Sequence, residues 1–241
     1  VPPDRSDGGD LFVPPHGVIV AGDAAGPVAA RLADEAGWPL LAEPTSGARF
    51  GPNAITDYQH LLGTNLAEEI EAVLVLGHPT LSRPVSKVLA STSVGITVIT
   101  KSPRWTDVAG RAQVMTPPGR IIAEEIDPDW SARWHHTEEA ADSRSEQSPK
   151  DRACAAIWET TCMATEENLS TAPALMIGSS AVIRCFDRYA RPRKISPLAV
   201  ANRGLAGIDG TVSTAVGLSV GLGRPVRAVV GDLTAAHDAT G

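Results

Sequence analysis

The sequence predicts an α/β fold: a parallel-sheet domain followed by part of a second α/β unit. Three observations carry this reading. Short apolar runs recur along the chain, each bounded by Gly, Pro or polar residues. Helix-forming segments separate them, as crossovers between parallel strands require. The runs are continuously apolar rather than alternating, the pattern of strands covered on both faces.

Residues 1–15, rich in Pro, Asp and Gly, read as a linker or arriving arm. Residues 17–22 form a short buried strand. Pro27 suits a first helical turn, and Gly37 stops the helix that follows. Residues 39–43 make a second strand, and a helix is expected over 53–62. Strand 72–77, helix 82–91 and strand 95–100 continue the alternation. Shorter strands near 113–116 and 120–124 complete a central Rossmann-like domain over 16–127. Residues 128–170 read as connecting helices (129–141 and 152–165) around a Ser-, Glu- and Lys-rich connector at 142–150. The second α/β unit spans 171–241: strand 174–177, a turn at Gly178-Ser179-Ser180, a helix to about residue 190, strand 198–201, a glycine-rich loop, helix 210–222 and strand 225–231.

Composition narrows the function. The net charge of −7 over 241 residues offers no basic field for nucleic acid or an anionic membrane surface. No apolar run approaches the roughly 18 residues of a membrane span, and no signal peptide is visible. Three scattered cysteines, Cys154, Cys162 and Cys185, make neither a disulfide framework nor a zinc site. They read as buried thiols in a reducing compartment, here the cytoplasm. The missing initiator methionine and the abrupt C-terminus suggest a piece of a longer protein.

Several segments invite chemistry. Gly22 to Gly26 follows a strand and precedes a helix, and Glu43 ends the next strand, which imitates a dinucleotide fingerprint. The spacing is G-x-x-x-G, however, without the glycine that lets backbone approach a pyrophosphate. Arg83 falls in the first turn of a helix at a strand's carboxyl end, where a cation opposes the macrodipole; it is either functional or a solvated surface charge. Arg184 follows the Gly178-Ser179-Ser180 turn, and Arg203 stands in the glycine-rich loop. Arginine suits bidentate capture of carboxylates, and two could hold a dicarboxylic substrate. Residues 202–210 hold three glycines and Arg203, and Gly231-Asp232 ends an apolar strand about twenty residues on. A glycine-rich loop entering a helix, with a strand-end carboxylate, can enclose a phosphorylated cofactor and its metal. Asp209 also reads as the N-cap of helix 210–222. His135 and His136, adjacent on a helix, make a poor metal pair.

Asn202-Arg203-Gly204 with Gly207-Ile208-Asp209-Gly210, then Val230-Gly231-Asp232-Leu233-Thr234 and His237-Asp238, resembles the thiamine-diphosphate-dependent 2-succinyl-5-enolpyruvyl-6-hydroxy-3-cyclohexene-1-carboxylate synthases of menaquinone biosynthesis. Residues 41–46, 77–85 and 103–105 resemble their central domain. The resemblance implies decarboxylation of 2-oxoglutarate and addition of the succinyl unit to isochorismate, with thiamine diphosphate and magnesium as cofactors. It makes Asp232 the magnesium ligand and sets Ile208 beneath the bent cofactor. Gly207, Asp209, Gly231 and Leu233 line the cofactor. Ser180, Arg184 and Arg203 contact substrate, and Arg83 is a basic residue lent by the central domain. A homodimer or homotetramer is implied by analogy.

The chain departs from the family pattern. The pyrimidine-binding domain and its glutamate are missing. Ala181 and Cys185 replace an Asn and an Asp, and Ala235 and Ala236 replace bulky apolar residues. The chain alone is therefore expected to bind cofactor poorly and to be inactive. Three further readings stay open. One is a noncatalytic regulatory module in which Arg49, Arg83, Lys101 and Arg104 bind an aromatic carboxylate. Another is a dinucleotide enzyme built on Gly22–Gly26. The third is an acetolactate-synthase-type enzyme, which the two arginines disfavour.

Overall fold

The computed structural model describes residues 8–123, 125, 127–142, 147–202 and 208–238. The chain divides into two compact units, Val1–Ser145 and Glu146–Gly241. All strand pairs in both are parallel, as the continuously apolar strands predict.

The first unit holds β1 (Gly8–Val13), β2 (Gly17–Ala21), α1 (Val28–Ala36), β3 (Leu40–Ala42), α2 (Tyr58–Leu61), a 3-10 turn (Asn65–Glu69), β4 (Ala72–Leu76), α3 (Arg83–Leu89), β5 (Gly95–Ile99), β6 (Gln113–Met115), β7 (Pro118–Ala123) and α4 (Trp130–Asp142). Its main sheet runs β3-β2-β4-β5-β6. Counted within that sheet, the order is 2-1-3-4-5, with the topological switch between β2 and β4. Every residue of β2 is buried, as are Val73 to Leu76 of β4. Trp130 locks α4 to the sheet by donating its indole N–H to the Gly17 carbonyl at 2.7 Å. Trp38 packs over Gly17, which must lack a side chain to admit the ring. Gly37 ends α1 with φ of 65° and donates its N–H to the Ala33 and Asp34 carbonyls, a left-handed cap that only glycine adopts without penalty.

Two sequence expectations change here. Residues 8–13, read as an arm, form β1 and pair with β7 from Gly8↔Pro118 to Val13↔Ala123. Val13 and Ile121 are buried there. The expected helix over 53–62 shrinks to α2, because residues 53–55 line the edge of β3. Leu40 N–H bonds Asn53 O at 2.7 Å, and Ile55 N–H bonds Leu40 O at 3.0 Å. Tertiary pairing overrides local propensity.

The second unit holds α5 (Pro149–Glu167), β8 (Ala174–Ile177), α6 (Ala181–Tyr189), β9 (Ala199–Val200), α7 (Thr211–Leu222), β10 (Val226–Val229) and α8 (Asp232–His237). Its sheet runs β10-β8-β9, so the switch lies between β8 and β10. A capping box starts α5: the Ser148 hydroxyl accepts from Asp151 N–H, and the Asp151 carboxylate accepts from Ser148 N–H. Trp158 and Phe186 pack between α5 and α6 with ring centroids 6.4 Å apart. All three cysteines are buried, and none forms a disulfide. Burial, with the Cys154 thiol and the Asp151 carboxylate nearby, pushes the Cys185 thiol well above its ordinary range.

Candidate functional site

Parallel strands deliver all their following loops to one edge. In the second unit, Gly178-Ser179-Ser180 leaves β8, Asn202 follows β9, and Gly231-Asp232 follows β10. With β8 central in this sheet, these segments are neighbours at the carboxyl edge, where open α/β sheets receive ligands. The Gly178 N–H donates to Val229 O at 2.8 Å. A β-carbon on Gly178 would stand 3.3 Å from Val229 O, so the β8 and β10 ends approach closely.

A side chain joins the β8 and β9 ends. The Ser179 hydroxyl donates to Asn202 O. The Asn202 amide donates to Thr214 Oγ1 at 3.3 Å, linking β9 to the first turn of α7. Thr214 in turn donates to Gly210 O at 2.6 Å. Ser180 precedes α6 without capping it and is exposed. The first amides of α6 and the Ser180 hydroxyl thus flank the switch point. Arg184 is exposed one turn along α6. Asp232 opens α8 with an exposed carboxylate, and its Oδ1 accepts the Leu233 N–H at 2.9 Å. Leu233 is 74% exposed.

Arg203 and Gly207 lie outside the described residues. Ile208 is half-buried, and its carbonyl accepts the Thr211 hydroxyl at 3.1 Å. Asp209 does not cap α7. Gly210 occupies that position with φ of 69°, and Asp209 Oδ1 pairs with His237 Nδ1 at 2.8 Å. Val212 and Ser213 instead send their N–H groups to Asp238 Oδ2, at 2.5 and 3.4 Å. The roles of Ser179, Thr214 and Asp238 are absent from the sequence reading. One available signal is Gly210, a helix start with no side chain to cap it.

Arg83 belongs to the first unit, where it is exposed at the start of α3. Ser82 caps that helix by accepting Val85 N–H at 3.4 Å. Glu43 reaches the same loop: its Oε1 accepts the Thr80 and Leu81 N–H groups at 2.7 and 2.8 Å. The dinucleotide reading of Gly22–Gly26 finds no support here. A β-carbon on Gly22 would collide with the His78 and Pro79 backbone, and one on Gly77 with Asp23 O. Asp23 and His78 form an antiparallel bridge. The loops after β2 and β4 therefore fill their own switch point, and Glu43 serves protein amides there. The regulatory reading loses one cation. Arg49 is wholly buried and donates to Ala42 O and to Thr56 O, while Lys101 and Arg104 are exposed.

No protein-family model matches the chain. Among curated proteins it is 40% identical over 241 residues to the 2-succinyl-5-enolpyruvyl-6-hydroxy-3-cyclohexene-1-carboxylate synthase of a Nocardioides species, covering 93% of the chain and 44% of that protein. The synthase of the same name from Kineococcus radiotolerans is 39% identical, with 93% of the chain and 42% of the relative covered. That of Renibacterium salmoninarum is 39% identical, with 93% and 40% covered. Over the stretch that it spans, the chain is similar to these synthases along nearly its whole length. It spans less than half the length of these relatives. Among the described residues no three His, Cys, Asp or Glu side chains cluster as a metal site. No helix among them is long and apolar enough to cross a membrane.

Proposed function

We propose that this chain supplies part of a thiamine-diphosphate- and magnesium-dependent, cytoplasmic synthase of menaquinone biosynthesis. The whole enzyme decarboxylates 2-oxoglutarate and adds the succinyl unit to isochorismate, working as a homodimer or homotetramer. Residues 16–127 form its central domain and 171–241 the first part of its diphosphate-binding domain. The single observation that supports this most is the meeting of Gly178-Ser179-Ser180, Asn202 and Gly231-Asp232 at one sheet edge.

The donor chemistry of that edge suits the cofactor. Magnesium takes one or two protein carboxylates and fills its shell with water and phosphate oxygens. Asp232 offers such a carboxylate, exposed at a strand tip. The Gly178 approach leaves the edge low, and the uncapped amides of α6 favour an anion. When bound, the thiazolium ring supplies the electron sink for loss of carbon dioxide.

The chain's own residues bind and orient. Asp232 holds the metal, and Gly231, Leu233, Gly207 and Asp209 shape its surroundings. Ile208 gives an apolar support. Arg184 and Arg203 pair with the two carboxylates of 2-oxoglutarate, and Ser180 donates a hydrogen bond to substrate. Ion pairing with a planar carboxylate is what the guanidinium fork does best.

Calorimetric titration of this chain and of the complete protein with thiamine diphosphate and magnesium tests the reading. Binding by the complete protein and weak or absent binding by this chain is the expected pair of results. A complete protein that takes up no cofactor overturns it.

A further inference from the structure

We propose that Asp238 is a positioning residue: it latches the 208–210 turn to the strand tip that carries Asp232. For what it positions, this inference rests on the function proposed above.

α8 has six residues, too few to hold itself together in water. Among its side chains only Thr234 is buried, and Asp232, Leu233, Ala235 and Ala236 are exposed. Within this chain, packing therefore does little to fix the helix, or the direction of the Asp232 carboxylate at its start. The far end is held by polar contacts instead. Asp238 N–H donates to Thr234 O at 3.1 Å, closing the helix, and the Asp238 carboxylate turns away to the start of α7.

α7 requires such a partner. Its first amides have no intrahelical acceptor, and Gly210 at the cap position has no side chain. Asp238 Oδ2 accepts from Val212 at 2.5 Å and from Ser213 at 3.4 Å. A carboxylate at a helix N-terminus also meets the positive end of the dipole. The neighbouring residue makes a second tie in the same direction, His237 Nδ1 to Asp209 Oδ1 at 2.8 Å. Both ties join the end of α8 to the 209–213 stretch, about 25 residues earlier in sequence. A cap supplied by the helix's own preceding residue would serve α7 alone. This one fixes α7 and α8 together, and so fixes Ile208 and Asp209 relative to Asp232.

The test uses Asp238→Ala and Asp238→Asn in this chain and in the complete protein. In this chain, hydrogen exchange of the Val212 and Ser213 amides is followed by NMR. Asp238→Ala speeds it about tenfold or more as the latch opens. In the complete protein, calorimetry with magnesium and thiamine diphosphate reads the positioning. Asp238→Ala weakens cofactor binding about tenfold, the effect of losing a group that orients a ligand, while kcat at saturating cofactor stays within about twofold. Asp238→Asn keeps an acceptor oxygen, shifts both readouts less, and replaces the alanine variant if that fails to fold. Faster exchange with unchanged cofactor affinity reduces Asp238 to a helix cap and overturns the proposal, as does unchanged exchange. A wild-type complete protein that takes up no cofactor refutes the synthase reading instead, and the exchange rates then decide alone whether Asp238 ties the two segments.

Discussion

Gly22 faces Pro79 across the end of the main sheet so closely that no β-carbon fits between them. The contact joins the loops after β2 and β4, and the Asp23–His78 bridge continues it. A glycine that imitates part of a dinucleotide fingerprint makes room for the chain itself. Gly22→Ala should destabilise the first unit by about 1–3 kcal/mol, the cost of overpacking against atoms that cannot rotate away. Urea denaturation of the two proteins measures it, and an unchanged midpoint contradicts the packing.

Glu43 makes a related prediction. Its carboxylate accepts the Thr80 and Leu81 amides of the loop that leads into α3, and it is 3% exposed. Glu43→Ala removes a charged acceptor and strands those donors, at about 1–3 kcal/mol. Glu43→Gln keeps an acceptor oxygen and should recover part of the loss in the same denaturation experiment.

Acid should loosen the attachment of α4. His16 stacks on Trp130 with centroids 4.7 Å apart, and its Nε2 lies 2.8 Å from Asp127 Oδ2. The His16 hydrogen bond first, then the Asp129 N–H, holds the Asp127 carboxyl below its ordinary 3.8. The folded state therefore binds fewer protons than the unfolded state near that value. The contribution is full above the ordinary carboxylate pKa and is lost as pH falls through the lowered one. The gap in melting temperature between wild type and Asp127→Asn should be widest near neutral pH and close as pH falls through the lowered Asp127 value. A gap that persists in acid means another contact carries the attachment.

Gly217 sits inside α7 with open space where its β-carbon would be. Glycine there costs about 1 kcal/mol relative to alanine through backbone freedom alone. Gly217→Ala should thus stabilise this chain by about that amount, read as a raised melting temperature of the second unit. A fall would mean that another element lies against this face.

Asp232→Asn tests the metal assignment. In the complete protein it should weaken magnesium-dependent binding of thiamine diphosphate by about tenfold or more, while circular dichroism stays that of the wild type because the side chain is exposed. Undiminished binding in calorimetry removes Asp232 from the metal site.

By itself the sequence determined the class of fold, the order of most strands and the likeness to a synthase family. Runs such as Val73 to Leu76 are buried on both faces in any sheet that can hold them, so their apolarity reads out directly. Gly37 and Pro27 mark the ends of α1 through backbone geometry that is local to each residue. Tertiary structure alone decided what each loop touches. Gly22 and Glu43 imitate a nucleotide site until Pro79, Thr80 and Leu81 arrive from a distant part of the chain. Residues 8–13 become a strand only because β7 lies alongside. Asp209 reads as the cap of α7, yet Asp238 takes that place from 26 residues beyond Val212. Periodicity and capping are local properties, whereas steric exclusion and hydrogen-bond pairing depend on neighbours that folding brings together.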